Sequence, residues 1–342
     1  MPTSVATRPD LRFNDFAPRR WLRNPHLQTI AGNYLPRIDT LPPAATEYIE
    51  VSIATSGQDS SQVLCHCHWQ PAPALCPTAI LLHGLEGSSA SQYILGNANK
   101  LWHAGCNIVR MNMRNCGGTE NLSPTLYHSG LSGDVLAVMN KCISRHALQS
   151  ISLLGYSMGG NIVLKLAGEL GSSAPPQLRS VIGVSPAIDL APSADALHTP
   201  ANRIYEEKFL RALKRRFRRK ARLFPHVYDA GLAMTVRSLR DFDHRITALY
   251  SGFASADDYY HRASAARVLH RIAVPTLILH SLDDPFVRLT RETRSLLAEN
   301  PDILFFETQH GGHCAFLAQP SLPANDGYWA EYAALQFLLA HA

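Results

Sequence analysis

Gly155-Tyr156-Ser157-Met158-Gly159 follows the apolar run Ile151-Ser152-Leu153-Leu154 and precedes a helix-like stretch over 161–170. A strand, a sharp turn and a helix in immediate succession form an elbow that lifts its serine above the carboxyl edge of a sheet. Such a turn leaves no room for side chains beside the serine, which accounts for a glycine on each side. Ser157 is therefore a candidate nucleophile. G-x-S-x-G also arises by chance in loops, and the flanking strand and helix are what set this copy apart. No other segment of the chain fits the pattern.

A serine hydroxyl is a weak nucleophile at neutral pH, so it needs a base to take its proton and an acid to orient that base. Pro275-Thr-Leu-Ile-Leu-His-Ser281 reads as a buried parallel strand running directly into Leu282-Asp283-Asp284-Pro285. Both aspartates are suitably placed. A further strand, Ile303-Leu-Phe-Phe-Glu307, leads to Gln309-His310-Gly311-Gly312-His313-Cys314. His313, behind the last strand and its glycines, is the expected base, with His310 its neighbour among 16 histidines. An imidazole titrating near neutrality can accept the serine proton and return it to a leaving group. Cys314 has no elbow around it and reads as a packed thiol.

Acyl transfer also creates an oxyanion, and losing one of its donors costs roughly 100-fold or more in rate. The strand Thr78-Ala-Ile-Leu-Leu82 ends in His83-Gly84-Leu85-Glu86-Gly87. The backbone N–H of Leu85 and that of Met158, next to the serine, are the expected donors. His83 reads as a residue bonding the loop rather than a catalyst. Glu86 would oppose an oxyanion unless its carboxylate points away.

Four segments share one pattern: Arg23-Asn24-Pro25-His26-Leu27-Gln28-Thr29, His83 to Gly87, Met111-Asn-Met-Arg114-Asn-Cys-Gly117-Gly118 and the elbow. The pattern continues from Asp243 through Gly252-Phe253, Asp258-Tyr259-Tyr260, Ser264, Ile272 and Pro275 to Asp283-Asp284. In these segments the chain resembles the YheT-like α/β-hydrolases, a branch that includes mammalian ABHD lipase-type proteins. The resemblance implies an α/β-hydrolase fold: a mostly parallel sheet flanked by helices, with an inserted helical cap. It also implies a serine esterase or lipase with Ser157, Asp284 and His313 as its triad, and no cofactor. Asp284 is preferred because it directly precedes the Pro-Phe-Val turn, the register in which such hydrolases present their acid; Asp283 becomes a turn residue. A thioesterase or acyltransferase could use the same triad, and a ligand-binding protein could keep the fold without turnover. For Asn24 to Gln28 the sequence offers only an N-terminal segment packed near the core.

Strand and helix signals alternate as a parallel sheet requires. Strands are expected at 48–54, 62–69, 78–83, 106–111, 150–154, 179–184, 275–281 and 303–306, the first two antiparallel, and helices near 90–103, 131–145, 159–170, 288–299 and 327–340. Hydrolase core at 21–185 and 266–342 is interrupted by a helical cap at 186–265, placed as a lid over Ser157. Met1 to Arg20 reads as a polar leader without a signal core, and no apolar stretch approaches the roughly 18 residues of a membrane span. Seven scattered cysteines without C-x-x-C suit reduced thiols in a cytoplasmic protein. Cys65-His66-Cys67-His68 invites a metal reading, but strand alternation sends cysteines and histidines to opposite faces, and no metal is expected.

Residues 203–222 hold ten Lys or Arg against Glu206 and Glu207, so one segment carries +8 in a chain of net charge +5. Leu210, Leu213, Phe217, Ala221 and Phe224 recur at helical spacing beneath that charge. The segment is expected to be a cap helix with a solvated cationic face, able to associate weakly with an anionic membrane surface or a phosphate-bearing substrate. The substrate expected is a small-molecule or lipid-like ester. Specific nucleic-acid binding is not expected, because the aromatic platforms that accompany it are missing.

Overall fold

The computed structural model describes residues 16–52, 61–320 and 326–342. Most of the expected leader and the expected end of the first strand at Ala54 lie outside those residues. Branched and leucine-rich runs form β1 (Ala45–Val51), β2 (Ser61–His68), β3 (Thr78–Leu82), β4 (Asn107–Met111), β5 (Ile151–Tyr156), β6 (Leu178–Val184), β7 (Thr276–Ser281) and β8 (Ile303–Thr308). They make one eight-stranded sheet in the order β1-β2-β4-β3-β5-β6-β7-β8. β2 is antiparallel to both neighbours and every other pairing is parallel. This is the α/β-hydrolase fold that the resemblance implied.

The helices are α1 (Pro25–Tyr34), α2 (Gln92–His103), α3 (Ser132–His146), α4 (Met158–Leu170), α5 (Leu190–Leu197), α6 (Arg203–Leu223), α7 (Leu232–Thr235), α8 (Leu239–Phe242), α9 (Leu249–Ser251), α10 (Ala256–Ala263), α11 (Arg291–Glu299) and α12 (Trp329–Ala340). Apolar faces of α3 and α4 cover one side of the sheet, through Val138, Met139, Ile162 and Leu166. On the other side lie α2 and α12, with Ile94, Leu101, Phe337 and Leu338. Parallel strands buried on both faces read as continuous apolar runs, which is why their positions showed in the sequence. Cys65 and Cys67 enter the first of these cores, while His66 bonds Ser89 and His68 approaches Trp102 on the other side. Among the described residues no group of three or more His, Cys, Asp or Glu is disposed to hold a metal.

Between β6 and β7 the chain runs through α5 to α10, with a π-helical stretch at Asp243–Ala248. Leu210, Leu213, Phe217 and Ala221 of α6 are buried, as the spacing required. The cations of α6 are not all in water, however. Lys220 is fully buried and donates to Asn115 Oδ1 at 2.8 Å, to the Glu120 carbonyl at 2.9 Å and to the Ser123 carbonyl. Burial lowers its pKa to about 7, since these neutral acceptors only partly replace lost hydration.

Helix α1 is absent from the elements expected above, because its burial runs against its apolar spacing. Asn24 caps it, accepting from the N–H groups of His26 and Leu27, and Pro25 occupies the first turn, where a missing N–H costs nothing. Its buried residues are Gln28, Thr29 and Gly32 rather than apolar ones. At its far end Arg37 donates to the carbonyls of Gly32 and Leu35 and pairs with the buried Glu331 at 3.1 Å, which also receives Lys100 at 2.6 Å. Removing one partner from such a cluster typically costs about 3–5 kcal/mol, because a buried charge is left unmatched.

Candidate active site

Ser157 sits between β5 and α4 with φ +54°, a conformation that L residues adopt only under constraint. The constraint is close backbone packing. A Cβ on Gly155 would lie 2.2 Å from the Gly159 carbonyl oxygen, and one on Gly159 would lie 2.4 Å from the His83 carbonyl oxygen. Both glycines are thus required by contact with backbone, which cannot move aside. The turn projects the Ser157 hydroxyl toward the loops that follow β7 and β8.

Those loops deliver two acid–imidazole pairs side by side. His313 Nε2 lies 2.9 Å from Ser157 Oγ, and His313 Nδ1 lies 2.8 Å from Asp284 Oδ2. Asp284 is buried, and its Oδ1 accepts the N–H groups of Phe286 and Val287 at 3.0 and 2.9 Å. One residue earlier, Asp283 takes His310 Nδ1 at 3.2 Å and the Gly312 N–H at 2.9 Å. Asp283 therefore ties down the histidine loop and does not reach Ser157. Burial disfavours a charged His313, but the Asp284 carboxylate outweighs it, and the imidazole pKa is raised above its ordinary 6.5. A proton taken from Ser157 would thus find a stabilised position.

The Leu85 N–H donates to nothing among the described residues, and Met158 opens α4, where an N–H has no partner within the helix. The loop bearing Leu85 is held by its neighbours: Gly84 N–H donates to Tyr93 Oη at 2.9 Å, and His83 bridges the Gly84 carbonyl and the Met113 N–H. Burial depresses the His83 pKa to about 4, so this imidazole is a neutral strut. Glu86 pairs with Arg216 Nε at 2.8 Å and accepts from Tyr127 Oη at 2.6 Å. Its charge is therefore neutralised from α6.

Two cavities meet at Ser157. One, of about 140 Å³, runs beneath the helices between β6 and β7 and is walled by Leu126, Leu197, Leu213, Phe217, Leu239 and Phe242. The other, of about 400 Å³, opens between α1 and α6 and is bordered by Ile30, Tyr34, Lys208, Arg215 and His313. Ser157 thus lies between an apolar chamber and a wider, cation-edged one.

Sequence reasoning did not find the residues that hold this arrangement from α1. Thr29 Oγ1 accepts the His313 N–H at 2.9 Å, and Gln28 exchanges two hydrogen bonds with the Leu317 backbone. The available signal was a polar pair, Gln28-Thr29, in a motif that had no assigned purpose. Arg216 also escaped notice, hidden among ten cations of α6.

Over residues 77–320 the chain matches the family described as alpha/beta hydrolase fold, and it belongs to that family. Within it, the chain is 32% identical over 310 residues to "Putative esterase YheT" of Escherichia coli (strain K12), covering 89% of this chain and 87% of that protein. "Phospholipase ABHD3" of Mus musculus is 30% identical over 242 residues, 70% of this chain but 58% of the relative, so the chain spans little more than half of that protein. Among solved structures, the Pyrococcus furiosus esterase Pf2001 aligns with TM-score 0.55 at 14% identity, over 90% of this chain and 97% of that one. Est1E of Butyrivibrio proteoclasticus, bound to ferulic acid, aligns with TM-score 0.54 at 16% identity, over 86% and 98%. These two likenesses are of fold alone.

Proposed function

We propose that this chain is a serine hydrolase of carboxylic esters, acting through Ser157, His313 and Asp284. The observation that carries the reading is the continuous hydrogen-bonded path from Ser157 Oγ through the His313 imidazole to Asp284, at 2.9 and 2.8 Å. Ser157 Oγ attacks the ester carbonyl carbon as His313 Nε2 takes its proton, and Asp284 stabilises the imidazolium. The former carbonyl oxygen, now negative, receives the N–H groups of Leu85 and Met158. Collapse breaks the bond to the alcohol oxygen, which leaves with the proton from His313. Water, deprotonated by the same imidazole, then attacks the acyl–Ser157 ester, and release of the acid restores the serine hydroxyl.

The insertion at 186–265 acts as the lid, since Leu197, Leu213, Phe217 and Phe242 from it wall the smaller cavity above Ser157. That chamber suits the acyl half of a small-molecule or lipid-like ester, and the wider one the alcohol half. Names of relatives support an ester substrate: an esterase, a phospholipase and a monoacylglycerol lipase.

A fluorophosphonate probe tests the reading. It should label the parent protein at Ser157 and leave Ser157→Ala unlabelled, and the same substitution should cut hydrolysis of p-nitrophenyl esters by roughly 10⁴-fold or more with unfolding unchanged. Absence of both labelling and turnover in the parent would instead favour a ligand-binding protein.

A further inference from the structure

We infer that α1 and the outward stripe of α6 form a docking surface for an anionic lipid bilayer at the mouth of the larger cavity. The first observation is that α1 is amphipathic the wrong way round. It buries Gln28, Thr29 and Gly32 and leaves Leu27, Ile30 and Tyr34 at 51%, 47% and 64% exposure. Those three stand at i, i+3 and i+7, so they form one continuous outward stripe. A helix on a globular protein ordinarily turns such a stripe inward. Trp21, just ahead of α1, is 65% exposed as well, beside the exposed Arg20 and Arg23.

The second observation is on α6. Ile204, Lys208, Arg211 and Arg215 follow one another at helical spacing and all are exposed. Lys208 joins the two helices: its Nζ donates to Tyr34 Oη at 2.8 Å and lies 4.9 Å above that ring. His26 stacks on Tyr205 a turn away, with centroids 5.7 Å apart. Aromatic and aliphatic side chains therefore share one face with cations, the composition that settles a protein into the headgroup region of an anionic membrane.

Position supplies the third observation. Ile30, Tyr34, Lys208 and Arg215 border the cavity that contains Ser157 and His313, so whatever docks there lies against its opening. Charge decides among occupants. A second copy meeting this face about a two-fold axis would press one α6 against another, cation against cation. Residues 1–15, which precede the described structure, carry two arginines and two aspartates and offer no complementary charge. Anionic headgroups complement it. No described helix is long and apolar enough to cross a membrane.

The inference stands on this surface and not on the triad, so its test uses the full chain carrying Ser157→Ala. Flotation with equimolar phosphatidylcholine–phosphatidylglycerol vesicles should recover the protein, pure phosphatidylcholine vesicles should not, and rising salt should weaken recovery. Lys208→Glu with Arg215→Glu, and separately Leu27→Ser with Ile30→Ser, should each reduce partitioning about tenfold or more. Circular dichroism melting serves as the control that these exposed changes leave the fold intact. Equal recovery with both vesicle types, or variants that float like the parent, would overturn the proposal. So would a dimer in sedimentation that Leu27→Ser with Ile30→Ser dissociates, because the face would then be a self-interface. Vesicle binding in a protein whose parent form hydrolyses no ester would retain the docking surface and remove the proposed function.

Discussion

The Thr29 hydroxyl accepts the backbone N–H of His313 at 2.9 Å while donating its own proton to the Pro25 carbonyl at 2.7 Å. The first turn of α1 is thereby connected to the peptide that carries the imidazole, across 284 residues of chain. Thr29→Val keeps the shape and removes the acceptor, leaving a sequestered N–H at a cost of about 1–3 kcal/mol. Steady-state kinetics should show kcat reduced about tenfold with KM little changed, since misplacing a catalytic group penalises the chemical step. Thr29→Ser should recover most of the loss. A valine variant with parental kcat would mean that α1 only packs.

Adjacent aspartates should separate cleanly. Asp284→Asn alters the residue that faces His313 Nδ1 and should lower kcat roughly 10³–10⁴-fold by favouring the wrong imidazole tautomer. Asp283→Asn keeps a carbonyl oxygen that can still accept the Gly312 N–H, so a loss of less than about tenfold is expected. Ester hydrolysis by the two purified variants decides the matter, and equal losses would refute the assignment.

Acid dependence follows from the direction of the His313 shift. Asp284 favours the imidazolium, so more alkaline solution is needed to empty the base, and the acid limb of kcat/KM should lie above 6.5. In Asp284→Asn the residual activity should show that limb moved to lower pH. The matching contribution to stability has the usual sign for a raised histidine: it is fully present below the unfolded pKa and is lost as pH rises through the folded one. A parental limb below 6.5 would contradict this electrostatic account.

Gly159→Ala should be among the most damaging single-methyl changes in the protein, because its Cβ would meet the carbonyls of Leu82 and His83 at 2.5 and 2.4 Å. Overpacking of this kind costs about 1–3 kcal/mol or more, and denaturant titration should register it. Gly133→Ala in α3 meets nothing within 4 Å and should instead be neutral or stabilising by up to about 1 kcal/mol.

Arg216→Met would leave the Glu86 carboxylate without its cation at the edge of the cavity that holds Leu85 and Ser157. Turnover and stability should both fall, the latter by about 3–5 kcal/mol if the carboxylate stays ionised. Adding Glu86→Gln should restore part of each. Additive losses in this double-mutant cycle would show that the pair is not coupled.

Strand ends were legible in the sequence because parallel strands covered on both faces are long apolar runs, and the residues nominated at 157, 284 and 313 each follow one. Side-chain geometry brings those three together. The choice between Asp283 and Asp284 could not be read from spacing, since both follow β7 and only the turn at Phe286 and Val287 aims one carboxylate inward. Arg216 and Lys220 were illegible for a different reason: helical periodicity assigned every cation of α6 to water, whereas partners on the loops at Glu86, Asn115 and Ser123 draw these two inside. For α1 the periodicity itself misleads, because its polar residues do the burying.

The family match begins at residue 77 and ends at 320, outside both α1 and α12. A polypeptide trimmed to those limits would still contain Ser157, Asp284 and His313, yet it would lack the prop beneath the imidazole and the Arg37–Glu331 latch that fastens that prop. Such a fragment would keep the three side chains and lose what fixes one of them in place.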